Sequence, residues 1–320
     1  MSDPNPLASV ELSLIVPVMN EEAAIDAFVA RVVPILEKLD YPAARSFEIL
    51  FIDDGSNDAT LARIRAANAV DPRIRALSFS RNFGKEAALS AGLDATRGLA
   101  VIPLDVDLQD PPEVIAPMLA KWREGFEVVY GVRDNRQADT LPKRLTADLY
   151  YRAHNWLSAD KIPEHAGDFR LLDHKVVEVI RRLPERNRFM KGLFAWAGFR
   201  QAAVGYHREE RKLGTSKFNY WKLWTLAVDG ITSASTVPLR VWSYVGALVA
   251  LGALAYAGFI VVRTLAFGIE TPGYASMMVA ILFLGGLQLL SLGVLGEYVG
   301  RILTETKQRP LYVVSERVGE

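Results

Sequence analysis

Two aspartates separated by one residue, Asp105 and Asp107, close a short apolar run, Leu99 to Leu104, within the stretch VIPLDVDLQDPPE. The run has the length and bounds of a buried strand. Residues two apart on a strand share a face. The spacing therefore predicts two carboxylates leaving the strand end side by side, with Val106 turned back into the protein. Adjacent carboxylates repel unless something positive lies between them. A hard divalent cation that takes oxygen ligands answers that need, and such ions commonly hold substrate phosphates as well. Gln109 offers an amide oxygen or a hold on a bound water. Pro111 and Pro112 suit the first turn of a helix. A bare Asp-x-Asp also occurs as a solvated loop or a helix cap, so the elements around it must decide.

Those elements alternate. Leu12–Val18 (LSLIVPV) reads as a first buried strand, followed by Asn20, Glu21 and Glu22 and an amphipathic stretch from Ala24 to Leu39. Phe47–Ile52 (FEILFI) reads as a second strand and ends in Asp53, Asp54, Gly55 and Ser56. A helix from about Thr60 to Ala69, a strand over Ile74–Phe79 and a helix over Lys85–Ala95 lead to the strand before Asp105. This alternation predicts parallel pairing through right-handed crossovers, an α/β fold. In such sheets ligands bind beyond the carboxyl ends of the strands. The first, second and fourth strands all end in acidic residues. No G-x-G-x-x-G follows the first strand and no Walker A motif is present. A carboxylate of Asp53 or Asp54 can accept hydrogen bonds from a base or ribose. The same four residues also suit a turn and helix cap, and one aspartate can cap while the other binds.

Composition narrows the function classes. The 320 residues are half hydrophobic with a formal net charge of zero, which argues against nucleic acid as a partner. The absence of cysteine excludes disulfides and thiolate metal sites. The first residues carry no basic region followed by an apolar core, so no cleaved signal peptide is expected. Trp242–Val262 and Gly273–Gly296 contain no charged residue. Each has the roughly 20-residue length of a membrane-spanning helix. Small residues in both, among them Gly246, Ala250, Gly285 and Gly286, suit close helix contact in lipid.

The motifs taken together resemble a known family. PVMNEE, FIDDGSNDAT, SRNFGKEAALSAGLDATRG and PLDVDLQDPPE are similar to family 2 glycosyltransferases, and more narrowly to the polyprenyl-phosphate glycosyltransferases. GDFRLLD, ERNRFMKGLFAWAGF, REERKLGTSKF, GEYVGRI and RPLYVV extend the resemblance over nearly the whole chain. It implies a GT-A type nucleotide-binding domain with a mostly parallel central sheet, plus a C-terminal two-helix transmembrane hairpin. It also implies inverting transfer of one sugar from a nucleotide-diphosphate sugar, UDP-glucose first among the candidates, to a polyprenyl phosphate such as undecaprenyl phosphate. Carried over, Pro17, Glu21 and Asp54 would hold base and ribose. Asp105, Asp107 and Gln109 would hold Mg or Mn on the diphosphate. Asp168 matches the position proposed as catalytic base, and Arg208 or Arg211, with Lys217, would bind phosphate.

The second half adds physical detail. Gly131–Arg144 is polar and charged, the composition of an active-site lid, and its Arg133 could reach a phosphate. An amphipathic stretch from Leu141 to Leu157 could be core or lie on a bilayer. A lipid monophosphate is mostly dianionic at neutral pH and needs little deprotonation, so Asp168 could orient the acceptor or Arg170 instead of taking a proton. Arg200–Lys222 interleaves basic residues with Tyr206, Phe218, Tyr220 and Trp221. Single-stranded nucleic acid binders share that composition, but a membrane interface fits it better. The expected layout is a catalytic domain over 1–215, an interfacial segment over 216–240, two spans over 241–297 and a tail over 298–320. Basic residues flank the spans on the domain side, which predicts a cytoplasmic domain on an inner membrane. The tail, Pro310–Val314, reads as a short strand that could add to another subunit and make a homo-oligomer. Two other functions share these motifs: a polysaccharide synthase, whose Q-x-x-R-W motif is absent, and a non-catalytic nucleotide-sugar sensor.

Overall fold

The computed structural model describes residues 10–42, 46–133, 166–186, 188, 190–207, 237–267 and 273–319. Its centre is an eight-stranded sheet. The elements run β1 (Val10–Val18), α1 (Glu22–Glu37), β2 (Ser46–Asp53), α2 (Thr60–Val70), β3 (Ile74–Phe79), α3 (Lys85–Ala95), β4 (Ala100–Pro103) and α4 (Ile115–Arg123). There follow β5 (Val128–Arg133), β6 (Ala166–Asp173), α5 (His174–Arg182), α6 (Met190–Trp196), β7 (Gln201–Tyr206), α7 (Val237–Phe267), α8 (Tyr274–Thr306) and β8 (Val314–Val318). The strand order is β7-β5-β6-β4-β1-β2-β3-β8. The block β4-β1-β2-β3 is parallel, as the alternation of strands and helices predicts. β6 enters antiparallel between β4 and β5, and β7 runs parallel to β5.

Side chains two apart sort onto two faces. Leu14 and Val16 of β1 and Ile49 and Phe51 of β2 pack with Ile25, Phe28 and Val32 of α1 and Met118 of α4. Ile15, Leu50 and Ile52 pack on the other side with Ala88, Ala91 and Leu93 of α3, Val176 and Ile180 of α5 and Phe194 of α6. Helix α3 lies so close to the sheet that a Cβ at Gly92 would stand 2.3 Å from an Ile15 methyl. Truncating a fully buried ring such as Phe51 would cost about 3–5 kcal/mol.

The amino ends of the central strands are closed by a buried polar cluster. Glu48 of β2 accepts hydrogen bonds from Ser13 Oγ at 2.6 Å, the Arg97 amide at 2.8 Å and Arg75 Nη1 at 2.7 Å. Ser13 Oγ in turn accepts from the Gly98 amide at 2.8 Å. The cluster ties β1, β2, β3 and the entry to β4 together.

The tail corrects one expectation. Its strand is Val314–Val318, not Pro310–Val314, and it pairs antiparallel with β3 of its own chain. Tyr312 stacks on Phe79 at 5.1 Å and its hydroxyl donates to Asp94 at 2.8 Å. The strand addition expected between subunits is made within one chain, so it offers no support for an oligomer. The preceding hairpin inverts the burial pattern of the domain: Leu248, Leu251, Phe259, Leu289 and Leu292 are all more than half exposed. From Val279 to Thr306, α8 is long and apolar enough to cross a membrane by length and composition. Its last turn touches the domain, where Glu305 accepts from the Arg186 amide at 3.0 Å.

Candidate active site

The carboxyl ends of β1, β2 and β4 and the start of α3 surround one cavity of about 330 Å³. Pro17, Glu21, Asp54, Asn82, Lys85, Asp105 and Asp107 line it. Each arrives by its own local device. After β1 the chain turns through Asn20, in the left-handed region at φ 54°. The Asn20 side-chain oxygen accepts from the Asn57 amide at 2.9 Å, and the Asn20 amide donates to Ser56 Oγ at 2.8 Å. The loops after β1 and β2 are thereby sewn together, which fixes Glu21 at the rim. Its own amide donates to Thr60 Oγ1 at 2.9 Å.

Asp53 and Asp54 divide the two tasks open to them. Asp53 is buried, and its carboxylate accepts from the Ser56 amide at 3.0 Å and from Ser78 Oγ at 2.7 Å. It holds the turn and does not line the cavity. Asp54 does line it, and accepts from the amides of Phe83 and Gly84 at 2.6 and 2.9 Å. Burial pushes the Asp54 carboxyl above its ordinary range, and the two amides pull it only part of the way back. The turn requires Gly55: its φ is +72°, and a Cβ there would meet the Arg81 backbone at 2.5 Å.

The aspartate pair reaches the cavity differently from the strand alternation expected of it. β4 stops at Pro103, where its pairing with β1 ends, and Asp105 to Asp107 lie in a turn beyond it. The Leu108 amide closes that turn on the Asp105 carbonyl at 3.4 Å. Leu108 itself sits at φ 54°, a conformation that costs a side-chain-bearing residue about 1–2 kcal/mol. Such strain clusters where a loop geometry serves a site. The Asp107 carboxylate accepts from the Gln109 amide at 3.1 Å. Lys85 Nζ lies 2.8 and 3.0 Å from the two Asp105 oxygens. Lys85 was not among the residues expected at the site, because from sequence alone it is one more charge on a helix surface. One signal could have found it: a cation in the first turn opposes the helix dipole.

The lining carries four carboxylates (Glu21, Asp54, Asp105 and Asp107) and one ammonium. A bare diphosphate would be repelled from it. Among the described residues no three His, Cys, Asp or Glu side chains gather around one point. A cation here would take Asp105 and Asp107 and complete its shell from phosphate oxygens and water, the habit of Mg and Mn. The donor set fits such an ion.

The other expected residues divide. Asp168 lies in β6, in the stretch where the register against β5 shifts between Tyr130–Arg170 and Val132–Ala166. β6 pairs antiparallel with β4 as Ala100–Asp173 and Val101–Leu172. That pairing stops short of both Asp168 and Asp105, so it does not bring the two together. Buried Arg170 places its guanidinium over the Phe194 ring at 4.5 Å and does not line the cavity. Arg133 is the last residue of β5. Arg208, Arg211 and Lys217, with the stretch Leu141–Leu157, lie outside the described residues.

Comparison with known proteins follows the same division of the chain. The profile described as glycosyl transferase family 2 matches residues 13–181, and that of the GtrB C-terminal hairpin matches residues 237–302. A bactoprenol glucosyl transferase of Shigella phage SfX is 52% identical over 308 residues, covering 96% of this chain and all of that one. An uncharacterized glycosyltransferase of Synechocystis is 50% identical over 311 residues, covering 97% and 96%. A prophage bactoprenol glucosyl transferase homolog of Escherichia coli is 50% identical over 305 residues, covering 95% and 98%.

Proposed function

This chain belongs to glycosyl transferase family 2, and from that premise we propose that it moves one glucose from UDP-glucose to the phosphate of undecaprenyl phosphate, with inversion at the anomeric carbon. It is a glycosyltransferase with a GT-A type α/β domain and a C-terminal apolar hairpin. The acceptor and sugar are read from the names of the phage and prophage relatives. The observation that carries the reading is the acidic cavity at the carboxyl ends of β1, β2 and β4.

In this reading Pro17, Glu21 and Asp54 hold base and ribose, with Asp53 as the support beneath Asp54. Asp105 and Asp107, with Gln109 beside them, hold the divalent ion, which neutralises the departing diphosphate when bound. An acceptor phosphate oxygen forms the new bond to C1 as the bond from C1 to the UDP oxygen breaks, and UDP leaves with that electron pair. The acceptor arrives mostly dianionic, so positioning carries more of the barrier than proton removal. Asp168 then serves to orient the acceptor or its arginine neighbour. Arg133, Arg208, Arg211 and Lys217 hold phosphate.

The exposed apolar side chains of α7 and α8 find their solvent in a bilayer. Two spans over 241–297 return the tail to the side of the 1–215 domain, and basic flanking residues favour the cytoplasm for that side. The segment 216–240, most of which lies outside the described residues, is assigned to the interface on its composition. The test is incubation of the purified chain with undecaprenyl phosphate, a panel of nucleotide sugars, and Mg or Mn, followed by weighing the lipid product. A metal-dependent gain of one hexose from UDP-glucose is expected. Polymer, another sugar, or binding without turnover would overturn the assignment.

A further inference from the structure

We infer that Lys85 is a resident counter-ion for the cation site: it holds Asp105 until a nucleotide diphosphate draws it away, which makes divalent-metal and nucleotide binding depend on each other. The inference rests on the proposed function and deepens it. Its geometry is a bidentate contact, Nζ to both carboxylate oxygens of Asp105. A carboxylate engaged in that way has fewer lone pairs left for an incoming ion, and the ammonium charge stands where the ion's charge would be. Two like charges cannot share that carboxylate without a strong penalty.

Several observations argue against a purely structural lysine. The side chains of Lys85 and Asp105 are 44% and 42% exposed, so the pair contributes little to stability. Lys85 is the first residue of α3, where the helix dipole disfavours a cation. The residue before it, Gly84, lies at φ +97° with its amide committed to Asp54. The lysine is therefore rooted beside the nucleotide-facing aspartate and points its long stem at the metal-facing one. Its partner, Asp105, lines the same cavity. Without ligands, this one ammonium offsets part of the charge of the four carboxylates there. A diphosphate entering the cavity offers Lys85 a more highly charged partner within reach of its flexible stem. The exchange would leave Asp105, with Asp107, available to hold a divalent ion that neutralises the diphosphate. Metal therefore strengthens nucleotide binding, and by linkage nucleotide strengthens metal binding by the same factor.

The experiment titrates Mn2+ into the full-length chain in detergent or nanodiscs, with free Mn2+ read by electron paramagnetic resonance, with and without UDP. Isothermal titration of UDP without metal accompanies it. For the native chain, UDP is expected to tighten Mn2+ binding about tenfold or more, within the usual range of coupling between sites. Lys85→Met should tighten Mn2+ binding in the absence of UDP, weaken UDP binding in the absence of metal, and bring the coupling factor towards one. Lys85→Arg, which keeps the charge, should retain most of the coupling. A lysine that only supports the fold would leave metal affinity without UDP unchanged in Lys85→Met. That result, alongside Mn2+ binding lost in Asp105→Asn, overturns the counter-ion and leaves the proposed function standing. Failure of every chain to bind Mn2+, with or without UDP, overturns both.

Discussion

Glu48 and Asp105 sit at opposite ends of the same sheet and are held in opposite ways. At the amino ends, Glu48 and Arg75 are both almost fully buried, and Ser13 and the Arg97 amide complete the carboxylate's shell. At the carboxyl ends, Asp105 is half exposed, paired with a half-exposed lysine, and faces a cavity with three further carboxylates. Both ends carry charge that a sequence scan would flag. The difference is closure. A buried charge whose partners are all internal has nothing left to offer a ligand, and its removal leaves the partner charge stranded. An open carboxylate set with too little positive charge is incomplete until a cation arrives.

The sharpest way to break this comparison is Glu48→Ala. It removes the buried ion-pair partner of Arg75 and should lower stability by about 3–5 kcal/mol, seen as a lower midpoint in chemical unfolding. Turnover per folded molecule should stay close to native, since Glu48 is remote from the cavity. Lost turnover at native stability would mean that the closed end takes part in function. The mirror experiment is Asp107→Asn. Turnover should fall on the order of a hundredfold or more, with the unfolding midpoint unmoved. A comparable loss of stability would show that the open end is also structural.

A smaller effect sharpens the picture at Asp54. Burial holds its carboxyl above the ordinary value of 3.8. A raised folded value means that the ionised form costs the fold some stability, and that this cost grows as pH rises through the folded value. It also means that Asp54 takes up its proton at a higher pH on acidification than an open carboxylate does. UDP affinity should therefore decline on acidification before an ordinary carboxylate would titrate. Asp54→Asn should bind UDP about tenfold more weakly at neutral pH and lose that limb of the profile. An unchanged profile in the variant would remove Asp54 from the nucleotide site.

Much of this was legible before any coordinates. Short continuous apolar runs at Leu12–Val18 and Phe47–Ile52 dictate buried strands, and their acidic ends mark the ligand edge. Three things were not. The place where β4 ends depends on where its neighbours stop pairing, so Asp105 and Asp107 read as strand residues when they lie in a turn. The division between Asp53 and Asp54 depends on Ser78, contributed by the neighbouring strand. Lys85 is revealed only when the start of α3 brings its ammonium to Asp105 in the turn beyond β4. In each case a residue distant in sequence decides, and local pattern carries no record of it.

The tail supplies the smallest effect, and it tests a third boundary of the sheet, the side edge that β3 would otherwise leave open. An open sheet edge can take an added strand from another chain, the basis on which Pro310–Val314 suggested an oligomer, yet β8 covers β3 from within. Tyr312 pins this tail through its stack on Phe79 and its hydrogen bond to Asp94. Burial first, and then the negative charge of Asp94, hold its hydroxyl proton well beyond the ordinary value of 10.0. A raised folded value makes docking complete below that ordinary value and progressively weaker as pH climbs above it. Because the chain has no cysteine, a single spin label at Val313→Cys would report tail mobility cleanly. Mobility should rise above about pH 10. Tyr312→Phe keeps the stack, loses one hydrogen bond worth about 0.5–1.5 kcal/mol, and should show a slightly looser tail at neutral pH with no alkaline rise. Identical pH curves in the two chains would mean that the backbone pairing of β8 with β3, and not the tyrosine, holds this edge closed.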